Sequence, residues 1–92
     1  MQEFYIVNPD IIFRDEGEEG GILFNPATGA VKLLNECAAI IFKCLDGNHT
    51  KQQIINTIQT VFPEIERSVL EQDVSEFITE GKEKQLIGIL LD

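Results

Sequence analysis

The hydrophobic pattern of this 92-residue chain changes period once, at Asn35, and that switch limits the fold to a small sheet followed by helices that cover it. Before Asn35 lie three short apolar runs, Ile11-Ile12-Phe13, Ile22-Leu23-Phe24 and Ala30-Val31-Lys32-Leu33-Leu34. They are rich in residues that suit a pleated, half-buried surface and are separated by turn formers. Asp15 to Gly21 is acidic and contains glycine, which suits a solvated hairpin loop. Asn25-Pro26-Ala27-Thr28-Gly29 is a turn cluster. Three strands with two tight connections predict an antiparallel meander.

After Asn35 the period is helical. Asn35 is a suitable N-cap, because its side-chain oxygen can accept from an amide of the first turn that has no intrahelical partner. Ala38, Ile41, Phe42 and Leu45 recur at i, i+3, i+4 and i+7, and Cys37, Ala39, Ile40 and Cys44 widen the apolar face. Asp46-Gly47-Asn48 stops this helix. Thr50-Lys51-Gln52-Gln53 reads as a capping box opening a second helix, with Ile54, Ile58, Val61 and Phe62 on one face and Pro63 closing it. Ser68-Val69-Leu70-Glu71 reads as a second capping box, opening a third helix with Leu70, Val74, Phe77 and Ile78 as its core stripe. Gly81 stands where a fifth stripe residue is expected, so the last turns are expected to fray or end early. Leu86 to Leu91 is a closing apolar segment that reads as a short strand. A small sheet can bury its one apolar face only against those helices, which gives a single α+β domain over residues 1–92.

Charge narrows the function. Sixteen acidic residues against seven basic ones give a formal net charge of -9. The basic residues are scattered singly, and nucleic-acid affinity comes from clustered Lys and Arg, so DNA and RNA are disfavoured as partners. No basic n-region followed by an apolar core opens the chain, and no apolar run approaches the ~18 residues of a membrane span. A cytoplasmic protein with two reduced cysteines is the expectation.

Catalytic groups are sparse. The lone histidine, His49, falls in a turn and reads as solvated; without a second histidine no zinc pattern forms. Cys37 and Cys44, seven apart on a helix, lie ~10 Å from each other, too far for a disulfide, and read as small buried hydrophobes. The run Asp15, Glu16, Glu18, Glu19 lacks the ligand spacing of a calcium loop. No glycine-rich phosphate loop is present. The expectation is a non-enzyme without cofactor or metal.

One ordered set of residues carries a family resemblance: Asn25-Pro26-x-Thr28-Gly29, Leu34-Asn35 opening a helix, Leu45-Asp46-Gly47-x-x-Thr50 before the next, and Asp73-Val74-x-x-Phe77-Ile78. Over roughly residues 8 to 90 the chain resembles the family of the pyrroloquinoline quinone biosynthesis protein D (PqqD-like), also called the RiPP precursor peptide recognition element. RiPPs are ribosomally made, post-translationally modified peptides. Two positions depart from the family pattern: Gly81 stands where leucine is usual, and Gln85 stands where glycine is usual.

The resemblance implies a winged-helix-like fold, a three-stranded antiparallel sheet followed by three helices. It implies a peptide-binding adaptor: a leader peptide adds as a strand along the third strand of the meander, in the groove beside the third helix, and is presented to a modifying enzyme. The usual enzyme is a radical S-adenosylmethionine (SAM) maturase. The peptide-binding residues so implied are Ala30, Val31, Lys32, Leu33 and Leu34 on the strand, with Val69, Asp73 and Glu76 on the helix. If the flank of that helix holding Val69, Asp73, Glu76 and Glu80 faces the groove, its three carboxylates favour a leader with lysine or arginine. The opposite flank holds Arg67, Glu71 and Ser75. A winged-helix transcription regulator and a protein–protein interaction module are the alternatives, and the oligomeric state is open between monomer and dimer.

Overall fold

The computed structural model describes residues 2–91. Its elements run β1 (Glu3–Val7), β2 (Ile12–Asp15), β3 (Gly21–Asn25), β4 (Ala30–Leu34), α1 (Glu36–Lys43), α2 (Lys51–Val61), α3 (Arg67–Glu83) and β5 (Ile87–Leu91). The meander forms as expected, with β2-β3-β4 antiparallel and Phe13, Leu23 and Lys32 in one cross-strand row. The acidic connection is a hairpin loop with one 3-10 turn at Gly17–Glu19. Asp15 at its base pairs with Lys43 of α1 at 2.7 Å, which holds the Asp15 carboxyl below its usual range.

The sequence reading missed β1. It pairs with β5 to make a second, two-stranded antiparallel sheet, Tyr5 opposite Ile89 and Val7 opposite Ile87. Its other edge is bonded by the turn after α1: Val7 N donates to Leu45 O at 3.0 Å and Gly47 N donates to Tyr5 O at 2.8 Å. The Leu45-Asp46-Gly47 motif thus stops α1 and also serves as a partial strand. Asp46 is fixed there by bonds from Asn48 N and with His49 Nδ1, which hold His49 in a hydrogen-bonded turn.

Helix starts follow local chemistry in two cases. Asn35 Oδ1 accepts from Ala38 N at 2.8 Å, and Thr50 and Gln53 form the reciprocal capping box. The third start differs from expectation. α3 begins at Arg67, with Glu66 at the cap position and no side-chain cap, so Ser68 lies inside the first turn. Arg67 instead donates to Gln52 and Asn56 of α2, so a contact between helices sets this boundary.

The core joins both sheets to the helices. Ile54, Ile55, Ile58, Leu70 and Val74 are sealed from solvent, and the Phe13 and Phe42 rings meet at 4.8 Å. On α2 the expected Val61 is exposed and Ile55 is buried in its place, because this helix packs against both α1 and α3. On α3, Leu70, Val74 and Ile78 are buried as expected and Phe77 is half-buried.

The α3 terminus neither frays nor stops early. Leu86 N donates to Gly81 O at 2.7 Å and Gln85 N to Lys82 O at 3.2 Å, the paired bonds of a Schellman cap. Gln85 takes the left-handed position at φ 60°, where glycine is the usual residue. Gly81 is buried against β5: a β-carbon built on it lies 2.3 Å from Ile87 Cδ1. The absent fifth stripe residue is therefore replaced by Ile87, which fills that space from the strand.

Tyr5 supplies a test of β1. It is the one tyrosine of a chain without tryptophan. Its ring is buried and its hydroxyl donates to Glu3 Oε2 at 2.9 Å. Burial first, then the bond to Glu3 and its charge, push its pKa from 10.0 up to about 12. The fold favours the neutral phenol, so this contribution is complete below pH 10 and is lost as pH rises through about 12. Near-ultraviolet absorbance is expected to show ionisation only as the protein unfolds in that window. A reversible midpoint near 10 in the folded state would place the phenol in water.

Candidate functional site

β4 pairs with β3 along one edge only; among the described residues no strand covers its other edge. Side chains alternate along it. Ala30, Lys32 and Leu34 point toward the helices and Leu34 is buried, while Val31 and Leu33 face outward at 60% and 76% exposure. An uncovered edge presents a row of unpaired N–H and C=O groups, a template for an added strand.

Beside that edge runs a cleft of about 290 Å³. Its floor is Leu34, Cys37, Ala38 and Ile41, and its far wall is the face of α3 bearing Asp73, Glu76, Phe77 and Glu80. These wall residues fall at i, i+3, i+4 and i+7, one helical face. One side chain crosses the cleft. Lys32 places its ammonium 3.2 Å from Glu80 Oε2 and 5.6 Å from the Phe77 ring centre. That contact holds the Glu80 carboxyl below its usual range. On the floor, the half-buried Cys37 thiol is pushed up by burial first, then by the fields of Asp73 and Glu36. The cleft thus joins an apolar floor to a wall of carboxylates.

Of the residues singled out in the sequence, the structure brings Lys32, Leu33, Leu34, Asp73 and Glu76 around this cleft. Ala30 and Val31 lie further along the same edge. Val69 stands one turn before Asp73 on α3, exposed at 46% and beyond the cleft walls. The flank bearing Asp73, Glu76 and Glu80 faces β4, whereas Arg67 turns to α2. Phe77, Cys37 and Ala38, which periodicity places in the core, are partly buried against it and also line the cleft. A signal existed for Phe77: it lies at i+4 from Asp73, on the border of the apolar stripe.

The family model of coenzyme PQQ synthesis protein D matches residues 20–87, from the turn before β3 into β5. The chain belongs to the PqqD family. Among solved structures, TbiB1 in complex with the TbiA(beta) leader peptide aligns with TM-score 0.76 and 17% identity, over 95% of this chain and 99% of that one. A lasso peptide synthetase B1 complexed with its leader peptide aligns at 0.75 and 25% identity, over 91% and 96%. The heterocyclase TruD aligns at 0.68 and 14% identity over 96% of this chain but 12% of its own, so the fold also occurs as a small part of a larger protein. Among curated proteins no sequence matches the chain. The same fold thus makes up nearly the whole of TbiB1 and one small part of the heterocyclase TruD.

Proposed function

We propose that this PqqD-family chain is a non-catalytic adaptor. It binds the leader of a ribosomally made precursor peptide as an added strand on β4 and presents it to a separate modifying enzyme, a radical SAM maturase being the family's usual partner. The observation that carries this reading is the uncovered β4 edge lying directly against the α3-walled cleft. Backbone pairing along such an edge supplies affinity, at about 1 kcal/mol net per hydrogen bond, and pockets for alternate side chains supply selectivity. Two solved structures of the same fold hold leader peptides, which supports the assignment.

The reactive groups fit a binding role. His49 is held in a turn by Asp46. Burial pushes the thiols of Cys37 and Cys44 up, away from the thiolate form a nucleophile needs. Among the described residues no helix is long and apolar enough to cross a membrane.

The test is a nitrogen-15 NMR titration with synthetic peptides copied from the leader halves of small open reading frames beside the gene. Amide shifts are expected at Ala30 to Leu34 and along α3 from Val69 to Glu80. A peptide that binds but moves only residues elsewhere removes the strand-addition reading.

A further inference from the structure

The trench beside β4 continues past Lys32. On the far side, toward the β3–β4 turn, lies a second and larger cavity of about 450 Å³. Ile11, Leu23, Ala30 and Leu86 make its lining mostly apolar, with Asn25, Thr28 and Lys84 as polar members. Lys32 lines both cavities and, paired with Glu80, stands between two unlike chambers. One is walled by Asp73 and Glu76 at the Leu34 end, and the other is apolar at the Ala30 end.

The acidic chamber is more than a group of carboxylates. Its wall already holds an ammonium, since Lys32 sits on Glu80 and over Phe77. Three carboxylates line the cleft and this one cation reaches only Glu80; among the described residues Asp73 and Glu76 have no cationic partner, and Glu76 Oε1 accepts from Gln72 Nε2 at 3.1 Å. A lysine or arginine entering there can lay its stem on Phe77 and Ala38 and set its head at Asp73 and Glu76.

Strand pairing fixes the spacing. An added strand lies ~4.8 Å from β4, and residues side by side on paired strands point to the same face. The inward positions of the occupant therefore stand beside Ala30, Lys32 and Leu34. The first opens on the apolar chamber and the last on the acidic one, four residues or ~13 Å apart. We propose that an added peptide is read at two inward positions four residues apart: a bulky apolar side chain entering the cavity beside Ala30, and a basic one set against Asp73 and Glu76 beside Leu34. This rests on the strand-addition reading above, and it names the chemical class of leader that the edge selects.

The test uses the folded chain and 13-residue serine- and threonine-rich synthetic peptides, a length of roughly 40 Å when extended. Each carries one leucine and one lysine at spacing i,i+2, i,i+3 or i,i+4, in both orders. The direction of pairing selects one order. That order at i,i+4 is expected to bind about tenfold tighter than every other peptide at low salt. In the Asp73→Lys/Glu76→Lys variant, at two exposed sites, the preference should transfer to the peptide with glutamate in place of lysine. Amide shifts at Ala30 to Leu34 with equal affinity for all spacings would leave strand addition standing and overturn the two-point reading. If no peptide moves a β4 amide in the folded chain, strand addition falls and takes this inference with it.

Discussion

Methylating the backbone nitrogens of alternate residues in a bound leader peptide is expected to lower its affinity about a hundredfold for one set of positions and leave the other set near the parent value. In an added strand every second N–H points at the partner strand and the intervening ones point away. Two lost hydrogen bonds at about 1 kcal/mol each, together with methyl groups forced against β4, account for the size of the effect. The set that matters should be the one whose amides face the uncovered edge of β4. Equal losses from both sets, measured by calorimetry, would mean that the peptide lies in the cleft without pairing to the strand.

The second large effect concerns Gly81. Replacing it by leucine, the residue usual at this place in the family pattern, is expected to cost about 3 kcal/mol, the upper end for overpacking a filled site. The reason is local: even a β-carbon at 81 meets Ile87 Cδ1 at 2.3 Å and Cγ1 at 2.7 Å. Trimming Ile87 to alanine should also destabilise the chain when done alone, by about 3 kcal/mol. Combined, the two changes exchange which residue fills the space, and the pair should recover about 2 kcal/mol relative to their sum. Urea denaturation followed by circular dichroism measures all three variants. Strict additivity would show that Gly81 and Ile87 do not compete for one volume.

Much of this architecture is written in short-range signals. The meander, both side-chain caps at Asn35 and Thr50, and the stripe Leu70, Val74, Ile78 follow from period and capping chemistry, and the structure has them where expected. What was not legible depends on distant partners. The segment Glu3-Phe4-Tyr5-Ile6-Val7 has aromatic and β-branched residues but no clean polar alternation, and its partner lies at the other end of the chain. The start of α3 is displaced from Ser68 because Arg67 finds α2. Ile55 replaces Val61 in the core because α2 is covered from two sides. Gly81 looked like a weakness of α3 because the residue that completes its surface belongs to β5. At the site, the edge strand and the acidic flank were identifiable from sequence, since a three-stranded meander must leave edges and one helical face carries Asp73, Glu76 and Glu80. Their juxtaposition, the crossing of the cleft by Lys32, and the apolar chamber beyond it depend on how α3 settles against the sheet, which no local pattern specifies.

The β1–β5 ribbon has a consequence for the order in which the molecule assembles. Its pairs join positions separated by 80 residues (Val7 to Ile87) up to 88 (Glu3 to Leu91), whereas the meander and the α2–α3 pair close over short loops. Closing long loops costs more chain entropy, and contacts of high sequence separation slow folding. On loop-closure entropy the ribbon is expected to zip shut after the meander and the α2–α3 pair. Gly81 packs against Ile87, so closing the ribbon also fixes the C-terminal end of α3, while Leu70 and Val74 hold the rest of that helix in the core.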